Sequence, residues 1–275
     1  MVVRKGRTGG GARAAALALA GAVAVAAGGC AAPADDEAPG GDPGRTVRGA
    51  VEELTRAGSS KTSTSMEMAS GGTRVTIRGE GDYDFRRRTG RLRVVLPRGA
   101  DGQSPQRPIT ELLVPGALYM KDRGAGVPAD KWVRVDTTAL EDGNLVTGGA
   151  TDPAAAAELL RGARDVTYVD EVDLAGVTVR HYRGITRIGD AARLSSPPVR
   201  GALTAAAKGF ATDLVSFDAY LDGAGRLRKV RHQFSFRNQG RTVEVASTTL
   251  LYGFGAPVAV TLPDRKDIYT GKIEA

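Results

Sequence analysis

The sequence predicts an α+β fold: a large, mostly meandering antiparallel β-sheet of about nine to eleven strands, with about three or four helices on one face. Three observations carry this expectation. Short segments of alternating apolar and polar residues recur along the chain, separated by turns built on Gly, Pro and Asn. Only a few segments have helical spacing. No segment repeats at solenoid period, and the chain beyond residue 45 fits one domain, since β-rich domains often reach about 200–250 residues.

Residues 1–29 read as a secretory signal peptide. Arg4, Lys5, Arg7 and Arg13 make a basic start, and Ala14 to Ala27 is an uncharged run of Ala, Leu, Val and Gly. Ala27, Gly28 and Gly29 supply a small-residue cleavage zone. The apolar run falls short of the roughly 20 residues a membrane-spanning helix needs. The next residue, Cys30, is the single cysteine of the chain. Its position after small residues resembles the lipobox of bacterial lipoproteins, with Ala27 where leucine is usual. The resemblance implies cleavage before Cys30 and lipid on its sulfur. Two or more acyl chains would make a stable anchor, whereas one binds only marginally. A free thiol is the alternative. Either way no internal disulfide can form, so packing alone holds the exported domain.

Residues 30–45 form the lipidated cysteine and a tether. Ala31 to Gly44 is rich in Ala, Pro, Asp, Glu and Gly and has no apolar periodicity. Extended at about 3.3–3.6 Å per residue it would reach about 45–50 Å. Residues 46–275 are then a single domain. The formal charge of +7 overstates the basicity of the mature chain, residues 30–275, because the leader holds four basic residues and no acid. Taking those four from 38 leaves 34 basic residues against 31 acidic ones, a net of +3. No long basic run is interleaved with aromatics, so nucleic acid is not an expected partner.

Arg45 to Ala57 places Val47, Val51 and Leu54 on one helical face, and Gly58 ends it. In "GTRVTIRGEGDYDF", Val75, Ile77, Tyr83 and Phe85 share one parity, and Gly79 and Gly81 mark a bend. Thr89-Gly90 turns into "RLRVVLP", where Leu92, Val94 and Leu96 alternate; Gly99 to Pro108 is a polar loop. "ELLVPGALYMK" is a hairpin turning at Pro115-Gly116, and "KWVRVD" is a further strand. "TDPAAAAELLRGA" is a helix capped by Thr151 or Asp152, with Pro153 in its first turn and Gly162 as its stop. "DVTYVDEVDLAGVTVRHYRGITRI" is a strand pair turning near Ala175-Gly176, and "PPVRGALTAAAKGFA" is another helix. Three strands close the chain, with Val215, Phe217, Ala219 and Leu221 alternating in the first and Val230, His232, Phe234 and Phe236 in the second.

No catalytic constellation is present. There is no second thiolate for zinc or redox chemistry, no Gly-x-Ser-x-Gly elbow, no phosphate loop and no dinucleotide fingerprint. His181 and His232 each lie within a strand, where a histidine is more often a cross-strand or core-edge residue than a ligand. Glu80, Asp82 and Asp84 share the wet side of their strand and lack the rest of a calcium loop. No cofactor is implied. A broad curved sheet with few covering helices can enclose an apolar cavity. Ala154 to Ala157, with Ala202, Ala205, Ala206 and Ala207, would leave room above it. From composition alone, helix propensity is the better account of the same alanines.

The lipobox, the acidic-proline tether, "VEELTRA", "TRVTIRGEGDYDF", "LYMKD…KWVRVD", "DPAAAAELLRGARDVTYV" and "FDAYLDGAGRLRKVRHQFSF…YGFGAPVAVTLP" together resemble the actinobacterial LppX/LprAFG lipoproteins, from about Val47 to Pro263. The resemblance implies a LolA/LolB-like half-barrel, a curved antiparallel sheet capped by helices over an apolar cavity. It implies a non-catalytic protein that binds acylated lipid or glycolipid for transfer or presentation, anchored through Cys30 to the outer face of the cytoplasmic membrane. By that analogy Val75, Ile77, Leu92, Val94, Leu118, Met120, Val215, Phe217, Val230 and Phe234 line the cavity. A one-residue register slip would turn any of these strands to its other face. The alternatives are an envelope interaction module with the same fold, a filled core and a protein partner, or a hydrolase whose acids meet only in the fold.

Overall fold

The computed structural model describes residues 41–70, 72–97, 107–124, 126–146, 151–238 and 241–271. The expected leader, Cys30 and residues 31–40 of the tether lie outside them; the end of the expected tether, Pro43 to Arg45, instead forms the first turn of the first helix, capped by Asp42. Eleven strands make one sheet: β1 (Ser59–Ser70), β2 (Thr73–Asp84), β3 (Thr89–Val95), β4 (Ile109–Val114), β5 (Ala117–Lys121), β6 (Trp132–Asp136), β7 (Ala163–Asp173), β8 (Thr178–Arg187), β9 (Leu214–Asp222), β10 (Leu227–Asn238) and β11 (Arg241–Tyr252). Their order is β6-β5-β4-β3-β2-β1-β11-β10-β9-β8-β7, antiparallel throughout. The chain thus builds two meanders and joins them where the first strand meets the last, with Thr64 opposite Thr249. The strands β6 and β7 remain edges, so the sheet is an open, curved half-barrel and the fold is α+β.

Glycine lets the paired strands β2 and β3 approach closely. A Cβ at Gly81 would lie 1.8 Å from the Arg91 carbonyl oxygen, and one at Gly90 would lie 2.4 Å from the Tyr83 ring. Only residues without a side chain let β2 and β3 fold this closely.

Among the described residues four α-helices cover one face: α1 (Pro43–Ala57), α2 (Pro153–Leu159), α3 (Ile188–Leu194) and α4 (Pro197–Gly209). Asp42 caps α1, its carboxylate accepting the Gly44 N–H at 2.9 Å. Val47, Ala50, Val51 and Leu54 form the buried stripe, each large side chain worth about 1.5–3 kcal/mol of burial. Gly58, at φ 88°, stops the helix. Arg86 then donates to the otherwise free carbonyls of Thr55 and Arg56 at 3.1 and 2.7 Å. At α2 the cap is Asp152, which accepts the N–H groups of Ala154 and Ala155. The element α3 differs from the sequence expectation, which ran the strand to Ile188. The strand ends one residue earlier because the Ile188 N–H turns to the Asp213 carbonyl at 2.8 Å.

A buried carboxylate ties the helical layer together. Glu158 is fully buried and accepts from Arg88 in the β2–β3 turn at 2.8 Å, from Ser196 at the start of α4 at 2.8 Å, and from Arg161. After β11 the chain runs without strand pairing to the far edge. There Tyr269 N–H donates to the Trp132 carbonyl at 2.8 Å, and Ile268 bridges Trp132 in parallel. This covers part of the exposed edge of β6, a common protection against edge-to-edge association.

Candidate functional site

The ten residues nominated from parity all fall on the face that meets the helices. Nine are buried, and Val75 is half-buried against them. They do not form one uniform surface. Ile77, Leu92, Val94, Leu118 and Met120 belong to an apolar panel on β2–β5, and Val215, Phe217, Val230 and Phe234 to another on β9 and β10. Between them run β1 and β11, whose inward residues include Ser60, Thr62, Thr64, Ser247 and Thr249, all buried. His232 faces inward beside this seam, opposite Ser247. Burial alone pushes its imidazole down to about 3, so the ring is neutral.

The space above the seam is occupied by the chain itself. The segment between β6 and α2, described over 137–146 and 151–152, enters it. Leu145 is fully buried and Val146 nearly so. The Asp142 carboxylate accepts the N–H groups of Asn144 and Val146 at 3.1 and 2.8 Å. Thr151 donates to the Leu145 carbonyl at 2.9 Å, and its hydroxyl lies 2.6 Å from that of Ser247 on β11. Gly143, at φ 57°, sits so close to α4 that a Cβ would be 2.0 Å from the Ala202 carbonyl oxygen. The small residues of α2 and α4 therefore bring helix, loop and sheet into contact.

At the rim a pocket of about 30 Å³, room for roughly one water, is lined by Tyr83, Arg88, Asn144, Asp152, Val199 and Ala202 among others. Tyr83 donates to Asp152 at 3.5 Å. Burial raises the Asp152 carboxyl, against the N–H bonds from Ala154 and Ala155 that favour its charged form. A larger open groove of about 570 Å³ lies on the outer face, lined by residues including Arg78, Glu80, Arg93 and Leu96.

His181 also serves its strands. It is on the outer face, with Nε2 2.7 Å from Asp218, Nδ1 3.2 Å from Asp170, and its ring stacked on Tyr220 at 4.4 Å. Burial works to raise the Asp218 carboxyl, but the hydrogen bonds from His181 and Arg183 outweigh it and hold the group low. Among the described residues no group of three His, Cys, Asp or Glu could hold a metal ion, and no helix is long and apolar enough to cross a membrane.

Sequence reasoning missed the hydroxyl seam and one residue of the β2–β5 panel, Glu111. Its signal was parity: it alternates with Ile109 and Leu113, but Leu112 and Val114 blur the pattern.

No protein-family model matches this sequence, and no curated protein does. Solved structures similar to it include the lipoprotein LppX of Mycobacterium tuberculosis, at 8% identity and a TM-score of 0.43 over 79% of this chain and 99% of that one. LprF of Mycobacterium bovis is similar at 10% identity and a TM-score of 0.41, over 80% and 96%. A LolA-superfamily protein of Nitrosomonas europaea is similar at 11% identity and a TM-score of 0.34, over 82% and 97%.

Proposed function

We propose that residues 46–275 form a non-catalytic domain that binds acylated lipid or glycolipid between the sheet and its helices. An acylated Cys30 would anchor it to the outer face of the cytoplasmic membrane for lipid transfer or presentation. The observation that carries this reading is the convergence of the ten nominated residues on the helix-covered face of a half-barrel. Acyl chains require such a dry, non-directional surface, at about 0.8 kcal/mol per buried CH2. Entry would require the Leu145–Val146 segment to withdraw, breaking the hydroxyl contact of Thr151 with Ser247.

One observation favours a second reading, an envelope interaction module with a protein partner: the interior is already filled by Leu145 and Val146. Titrating residues 38–275, which form one compact unit, with a dansyl-labelled acyl lipid separates the two. The lipid reading expects saturable fluorescence that unlabelled lipid displaces. No signal with any lipid favours the module.

A further inference from the structure

Glu111 occupies a place that an apolar side chain would fill better. It is fully buried on the inner face of β4, and among the described residues neither carboxyl oxygen has a hydrogen-bond partner. Its cross-strand neighbours are Leu92 on β3 and Met120 on β5, and its inward neighbours along the strand are Ile109 and Leu113. All four are buried, so the carboxyl stands in an apolar panel. A buried polar group without a partner costs about 1–3 kcal/mol, and such groups are rare enough in native proteins to call for a reason. Burial raises this carboxyl to about 8, with Arg123 pulling it back only in part. At neutral pH it therefore carries its proton and is a hydrogen-bond donor.

We infer that Glu111 is a ligand-binding residue, donating its carboxyl proton to the ester or amide carbonyl of a lipid whose chains lie against Leu92 and Met120. The inference rests on the lipid-binding reading and narrows it. An uncharged carbonyl flanked by alkyl chain matches a neutral donor flanked by Leu and Met. The residue is then kept at a cost to the unliganded fold, as binding groups are.

Two probes differing only in the carbonyl test this: dipalmitoylglycerol and its dihexadecyl ether analogue, each competed against a dansyl-labelled acyl lipid on residues 38–275. The wild type is expected to prefer the ester by on the order of tenfold, the effect of about one buried hydrogen bond. Glu111→Gln, which keeps an N–H donor, should retain the preference. Glu111→Leu should bind both probes within about twofold of each other and melt at a higher temperature than the wild type. A folded Glu111→Leu protein that still prefers the ester overturns the inference, as does a wild type that binds both probes equally. Should Glu111→Leu fail to fold, loss of the preference in Glu111→Met supports the inference and its retention overturns it. A wild type that binds neither probe overturns the lipid-binding reading itself.

Discussion

The hydroxyls of Thr151 and Ser247 meet 2.6 Å apart at the buried centre of the sheet, joining the β6–α2 segment to β11. Because Thr151 also donates to the Leu145 carbonyl, the two single substitutions differ. Ser247→Ala leaves Thr151 one partner and should cost about 1 kcal/mol. Thr151→Val leaves both Ser247 and the Leu145 carbonyl unpaired and should cost about 2–3 kcal/mol. The double variant should resemble Thr151→Val alone, because the residues share one interaction. Urea unfolding with an unchanged m-value checks the ordering. In the lipid-binding reading, both variants also take up lipid faster.

Glu158 should be the most sensitive charged position of the helical layer. Glu158→Ala removes the shared acceptor of Arg88, Arg161 and Ser196. A loss of about 3 kcal/mol is expected, the low end for a broken buried ion pair, because both guanidiniums retain some contact with water. Chemical denaturation of the variant measures it. A loss below about 1 kcal/mol would show that the hub is replaceable by solvent.

Glu111 and His232 set opposite limits on stability with pH. The unfolded chain releases the Glu111 proton near 4.5, whereas the folded chain keeps it to about 8. Stability from this group therefore falls as pH rises from about 4.5 to 8. His232 is the reverse: the unfolded chain binds a proton below about 6.5, the folded chain only below about 3. Its contribution falls as pH drops from about 6.5 to 3. The two slopes offset between about 4.5 and 6.5, so their combined optimum lies there. Unfolding curves from pH 4 to 9 should show the alkaline decline vanish in Glu111→Leu and the acid decline shrink in His232→Leu.

Much of the architecture was legible in the sequence for physical reasons. Strands with one apolar parity, such as Val215-Phe217-Ala219-Leu221, announce both their direction and their face. The Pro115-Gly116 and Ala175-Gly176 turns fall where expected, between β4 and β5 and between β7 and β8. The strand β1 gave no such signal, because its inward residues Ser60, Thr62 and Thr64 are polar. Its burial is imposed by position at the centre of the sheet, which local pattern cannot reveal. For the same reason the hydroxyl seam and its contact with Thr151 were invisible: a hydrogen bond between residues 96 apart in the chain depends on the completed topology. The ten nominated residues share one face because parity survives without knowledge of partners, while Glu111 was missed because Leu112 and Val114 blur the alternation of its strand.

The anchor has its own test. Growth of an expressing bacterium with an alkyne-bearing palmitate should label the full-length protein, and Cys30→Ser should abolish the label. Labelling that persists in Cys30→Ser would place any acyl chain elsewhere.

The most direct test of lipid binding is native mass spectrometry of residues 38–275 purified without detergent, followed by organic extraction. The account predicts adducts that extraction identifies as ester- or amide-linked acyl lipid. A bare polypeptide mass, unchanged after incubation with added acyl lipids, would contradict it.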